Sequence, residues 1–357
     1  MNLSSFKTHF LKQGFRVLSQ VFIIGYIFTI CPVPVSALLK TKRLMPEFLS
    51  VPAWINSEGL KREDLKGNIA VVYFWNYSCI PCQEVTRRLN KWYKKFDSEG
   101  VKIVGIHVPE FEFEKDAARV GLAVKKSKIK YPVALDPESN LNNLYEVREK
   151  PTMYLIDWDG NIRYTWTGTG DYPERQKLLL ELLRQQGKDP EVKPEKPEKG
   201  LNESEIKSPP MYLGYVRLSQ LGNQGSAKAD LAQVFKLPEV LSLNYFYLTG
   251  KWKFQRESLV LISAPSTLRV LYHASKFFLI AGSQSQSALR GEVLFDGAPL
   301  TKDNKGKDVV IQKDKSFVLV KDYQPYELVD MSGYYGDHNV EIRFEESGLE
   351  AYAIDFR

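Results

Sequence analysis

Two cysteines three positions apart, Cys79-Ile80-Pro81-Cys82, directly follow the uncharged run Ile69-Ala-Val-Val-Tyr-Phe-Trp75. A short run that is β-branched and aromatic predicts a buried strand. Asn76-Tyr77-Ser78 predicts a turn. Val85, Leu89, Trp92, Tyr93 and Phe96 then recur at helical spacing, so a helix is expected from Cys79 to about Phe96. Cys79 thereby falls at a helix N-terminus, where unpaired amide donors and the macrodipole favour a thiolate. Cys82 lies one turn inward, within reach to close a ring. Pro81 suits an early helical position, since its missing N–H would have no intrahelical partner. The pair predicts dithiol–disulfide exchange, with Cys79 attacking and Cys82 resolving, and calls for no cofactor.

Two other uses of a CxxC pair fit less well. A zinc site wants four ligands, yet the remaining cysteine is Cys31, and His107, His273 and His338 are scattered singly. A structural clip would close too small a loop to stabilise much through chain entropy. The formal charge of +6 over 357 residues is spread along the chain, with no stripe of Lys and Arg among aromatics, which argues against nucleic acid as a partner.

The N-terminus sets the expected compartment. Lys7, Lys12 and Arg16 precede the mostly apolar Val17–Ile30, and Val35-Ser36-Ala37 offers a small-residue cleavage site. Residues 1–37 therefore read as a secretory signal peptide, with an uncleaved membrane anchor over Val17–Leu39 as the alternative. Phe28-Thr29-Ile30 lacks the small residue expected before a lipid-bearing Cys31. Cleavage after Ala37 leaves Cys79 and Cys82 as the only thiols, which suits an oxidising periplasmic or other extracytoplasmic space.

Residues 44–187 alternate between patterns of period two and 3.6, as an α/β sheet with helices on its faces requires. Strands are expected at Val101–Val108, Tyr131–Asp136, Thr152–Asp157 and Ile162–Trp166, the last two joined by Trp158-Asp-Gly-Asn161. Helices are expected over Glu114–Lys128, around Asn140–Tyr145 and over Pro173–Gln186. Residues 188–210, with their Lys-Pro-Glu repeats, form a charged, proline-rich linker. From residue 211 to 357 the pattern becomes short alternating runs, among them Leu241–Leu248, Leu259–Ile262 and Leu268–Ala274, which predict an antiparallel β-sandwich. Its aromatics, Tyr245, Phe246, Tyr247, Trp252, Phe254, Tyr272, Phe277 and Phe278, are expected in the core. Tyr334 and Tyr335, beside Asp337 and His338, are candidates for an exposed platform.

Asn76-Tyr-Ser-Cys-Ile-Pro-Cys-Gln83, Gly105-Ile-His-Val-Pro-Glu-Phe-Glu-Phe-Glu114, Lys150-Pro151-Thr152, Tyr154-Leu-Ile-Asp157 and Gly168-Thr-Gly-Asp-Tyr172 carry a resemblance. The first domain resembles the thioredoxin-like redoxins of bacterial envelopes, closest to the extracytoplasmic region of the cytochrome c biogenesis-type DipZ family. Met211-Tyr-Leu-Gly214, Leu248-Thr-Gly-Lys-Trp252 and Ala351-Tyr-Ala-Ile-Asp-Phe356 are similar to the β-domain that follows there. The resemblance implies a thioredoxin-like fold followed by an all-β sandwich of jelly-roll, galactose-binding-like type. It implies protein thiols and disulfides as partners, with carbohydrate as a candidate ligand of the β-domain. An export signal stands where that family has its polytopic electron-transfer region, so a reductase of this kind would draw on a separate membrane electron donor. Pro151 resembles the cis-proline opposite the CxxC pair, presenting the Lys150 backbone to a substrate strand. Lys150 and Trp75 are the candidate substrate-binding residues. Glu110, with His107 on the same loop, is the candidate acid or base assisting Cys82. The rival reading is a carbohydrate- or partner-binding envelope protein with an accessory redox domain.

Overall fold

The apolar run at 69–75 becomes the centre of a mixed sheet because both of its faces are covered. The computed structural model describes residues 43–193, 203–285 and 287–357. The proposed export signal and the Lys-Pro-Glu repeats beyond Lys193 lie outside the described residues. The first sheet comprises β1 (Arg43–Leu44), β2 (Ala53–Ile55), β3 (Ile69–Trp75), β4 (Val101–His107), β5 (Val133–Leu135), β6 (Thr152–Ile156) and β7 (Asn161–Thr167). Helices α1 (Ile80–Phe96), α2 (Ala117–Lys126), α3 (Asn140–Leu144) and α4 (Tyr172–Gln185) connect and flank these strands. The spatial order is β1-β7-β6-β3-β4-β5-β2. Strands β3, β4 and β5 run parallel, and every other pairing in this sheet is antiparallel. Ile69, Val71, Tyr73 and Trp75 share a core with Leu89, Trp92, Leu179 and Leu183. Ala70, Val72 and Phe74 face the other way, onto Met45, Leu65, Tyr145 and Tyr154. This is a thioredoxin-like α/β fold.

One helix starts later than its periodicity suggests. The side chain of Asp116 accepts hydrogen bonds from Ala118 N and Arg119 N, so α2 begins at Ala117. Glu112–Lys115 instead forms a short 3-10 turn that carries Glu114 into the interior.

The second region is an all-β, nearly closed sandwich in which twelve strands hydrogen-bond edge to edge. Leu259–Ile262 and Leu268–Ala274 are not two strands but parts of one, Leu259–Ala274, which runs through the cis Ala264–Pro265 bond. Its length lets it pair with Tyr245–Phe254, Gly336–Phe344 and Leu349–Phe356 in turn. The run expected at Leu241–Leu248 forms a strand only from Tyr245, and that strand continues to Phe254. Phe246, Trp252, Phe254, Tyr272 and Phe277 fill the core as expected, whereas Tyr245 is 41% exposed on the outer face.

The two regions share packing. Ile280, Tyr352 and Ala353 of the sandwich belong to the same buried cluster as Trp75, Phe111 and Phe113. Residues 42–357 accordingly form one compact unit. Among the described residues no helix is long and apolar enough to cross a membrane.

Candidate redox site

Strand β3, in the interior of the sheet, delivers the chain into a buried turn held by Asn76. The Asn76 Oδ1 accepts the Cys79 N–H at 2.8 Å and the Ser78 hydroxyl at 3.1 Å. Cys79 is the N-cap of α1, with Pro81 in the first turn. Its Sγ accepts the Cys82 N–H at 3.2 Å. The two sulfurs are joined as a disulfide, with the Cα atoms 5.2 Å apart. Cys82 is fully buried, while Cys79 is partly exposed. Tyr73, on β3, donates its hydroxyl to Cys82 O at 2.8 Å and ties the first turn of α1 to the sheet.

From the other side, the start of β6 approaches the sulfurs. Lys150–Pro151 is a cis peptide, and Lys150 O lies 3.9 Å from Cys79 Sγ. The partly exposed sulfur and the Lys150 backbone are therefore neighbours across a gap of 71 residues in sequence.

Trp75 lies beneath the turn, almost wholly buried. Its indole packs over Gly105 of β4, where a Cβ would come 3.1 Å from Nε1. His107 meets the Trp75 ring edge-on at 5.3 Å and stacks on Tyr77 at 5.6 Å. Burial, and then the charge of Lys150, press the His107 pKa down to about 3, so the imidazole is neutral at ordinary pH. Trp75 and His107 form the packed floor of the site.

Glu110 is placed elsewhere than its sequence position suggests. Its carboxylate accepts the Tyr212 hydroxyl at 2.7 Å and pairs with Arg217 at 2.8 Å, both from the β-region. It is committed to that interface and not directed at the cysteines. The carboxylate that reaches the CxxC turn is Glu114. Its Oε1 accepts Ser78 N–H at 3.1 Å, and its Oε2 accepts Glu110 N–H at 2.7 Å and Phe111 N–H at 3.2 Å. Burial outweighs these hydrogen bonds and raises its pKa to about 7. The sequence signal for it was the alternation Glu110, Glu112, Glu114, whose three members take three environments. Glu112 is exposed and pairs with Lys115 at 3.1 Å.

A disulfide-forming CxxC pair capping a helix, opposed by a cis-proline loop on a thioredoxin-like sheet, is a redox constellation. Residues 45–165 match the AhpC/TSA family, and residues 208–356 match the family described as a thioredoxin like C-terminal domain. The chain therefore carries an AhpC/TSA match followed by a thioredoxin-like C-terminal match. The chain is similar to protein DipZ of Mycobacterium bovis, 30% identical over 273 residues covering 74% of this chain and 38% of that protein. The chain thus spans well under half the length of that relative. Thiol-disulfide oxidoreductase YkuV of Bacillus subtilis is 25% identical over 145 residues, 41% of this chain and 97% of its own length. A solved thiol-disulfide isomerase from Corynebacterium glutamicum aligns with a TM-score of 0.37 at 28% identity, covering 40% of this chain and 97% of that chain. The candidate platform residue Tyr334 of the β-region is 76% exposed, between Gln324–Asp330 and Gly336–Phe344.

Proposed function

We propose that this protein is an extracytoplasmic thiol–disulfide oxidoreductase acting on protein substrates through Cys79 and Cys82. The observation that carries the reading is the asymmetric exposure of the pair: one sulfur partly open at a helix N-terminus, the other buried behind it. In the dithiol form, the Cys79 thiolate attacks one sulfur of a substrate disulfide. A mixed disulfide forms and one substrate thiolate leaves. Cys82 then attacks Cys79 Sγ, closing the bond seen here and releasing the second substrate thiolate. Two electrons and two protons pass to the substrate, and the reverse sequence oxidises a dithiol.

The α1 amides and dipole favour the Cys79 thiolate. The proximity of Lys150 O to Cys79 Sγ supports a role for the Lys150–Pro151 backbone in docking an extended substrate strand. Trp75 supports the turn from below. The N-terminal pattern of basic, apolar and small residues supports export, and the resemblance to DipZ supports a membrane electron donor that restores the dithiol.

Reduced full-length protein mixed with a disulfide-containing protein such as insulin tests the reading. Exchange is expected for the native chain and should vanish in Cys79→Ser. Cys82→Ser should accumulate a mixed disulfide visible on a non-reducing gel. Retention of exchange by Cys79→Ser would refute the assignment.

A further inference from the structure

A cleft of about 1020 Å³ begins at Ile80 and Pro81 of the CxxC turn. That is at the top of the range of about 300–1,000 Å³ for small-molecule sites. One wall is the outer side of α1, a second is α2, and the third is the β-region between Asp322 and Glu327 with Lys276 and Phe278. Trp75, Tyr77, Phe278 and Tyr323 give it an apolar floor. The walls touch where Lys126 donates to Gln324, and where Arg119 lies 4.3 Å over the Tyr323 ring.

The lining is strongly cationic, with nine Lys and Arg against three carboxylates. Several of these charges are answered locally. Arg119 pairs with Asp116, Lys276 with Glu327 and Asp330, Lys307 with Glu327, and Arg357 with Asp355. Arg87, Lys128 and Lys321 have no ion-pair partner among the described residues, and Lys126 meets only an amide. Against them stand the carboxylates of Glu84 and Asp322, so the cleft keeps a positive excess.

We propose that this cleft receives an acidic, extended segment of the client protein, adjacent to the cysteine that bonds to Cys79. The inference rests on the redox reading above and names the substrate class for it. A chain held at Cys79 by a mixed disulfide has Ile80 and Pro81 beside it, so its flanking residues enter the cleft without a second encounter. Carboxylates there meet unpaired cations, and aromatic or aliphatic neighbours meet the apolar floor. The β-region thereby contributes one wall of the substrate site, with Lys321 as its principal free charge.

The test is single-turnover exchange between reduced full-length protein and peptides sharing one disulfide but flanked by Asp and Glu, by Asn and Gln, or by Lys. Hydroxyethyl disulfide serves as a small neutral control. Acidic flanks should react on the order of tenfold faster than amide flanks at low salt, with Lys flanks slowest and the gap closing at high salt. In the double variant Lys128→Glu, Lys321→Glu the ratio of acidic to amide rates should fall to about one or invert. Equal rates across the peptides, or an unchanged ratio in the variant, would overturn the proposal while leaving the redox reading intact. Dextran sulfate binding the cleft while the peptide series stays level would also overturn it in favour of a polyanionic glycan. Failure of hydroxyethyl disulfide as well would remove the redox reading and the cleft proposal together.

Discussion

At the residue scale, the two cysteines are legible because their chemistry is local: spacing, a preceding apolar strand and a following amphipathic helix suffice. The carboxylate beside them is not. Glu110, Glu112 and Glu114 are equivalent in composition, and only the 3-10 turn over Glu112–Lys115 and the Tyr212–Arg217 contact sort them. Glu114 also yields a pH prediction. Its pKa of about 7 in the folded protein exceeds the ordinary 4.5, so the folded state holds a proton that the unfolded chain sheds. Its contribution to stability is therefore greatest below about pH 4.5 and declines as pH rises towards 7. Urea titrations of the oxidised protein at several pH values should show this decline. The difference between native and Glu114→Gln should carry that slope, because glutamine has no proton to lose. An identical pH dependence in both proteins would show that Glu114 is not the group responsible.

At the scale of elements, strand and helix identity followed from periodicity, whereas their ends followed from caps and neighbours. Val120 and Val124 gave α2 its buried face, yet the helix starts where Asp116 satisfies two free amides. Asp116→Ala should cost about 1 kcal/mol in chemical denaturation, with no loss of the strands in far-ultraviolet dichroism. A cost near zero would mean that water caps the helix as well as the carboxylate does. The strand Leu259–Ala274 shows the opposite error. Ser263-Ala-Pro-Ser266 has the composition of a break, because proline and serine favour turns. The chain nonetheless continues through it, since Leu268, Val270 and Tyr272 on the far side fill the same core as Leu259 and Leu261. Burial of the flanking residues outweighed the local preference.

At the scale of the whole molecule, the β-region is a structural partner of the redox domain. Phe111 and Phe113, on the loop that carries Glu114, pack against Tyr352 at 5.3 and 4.6 Å, and Arg217 lies 3.8 Å over the Tyr212 ring. Gripping one side of this loop holds its other side against the CxxC turn. A chain ending at Lys193 would expose both phenylalanines and free Glu110. It should melt several degrees below the redox domain in the intact chain, as a loss on the order of 2 kcal/mol implies. Calorimetry of the two proteins would check this; an equal midpoint would mean that the contact adds nothing to stability.

Local order along the chain was enough to specify the paired thiols, the α/β alternation and the change to short strands after residue 210, because each rests on spacing within one turn or one strand. Which glutamate meets the CxxC turn, and which cations remain unpaired beside it, depend on contacts between Glu110 and Arg217 or Arg119 and Tyr323, separated by more than a hundred residues. No local pattern encodes such pairs, because desolvation and charge pairing depend on which surfaces meet once the chain has folded.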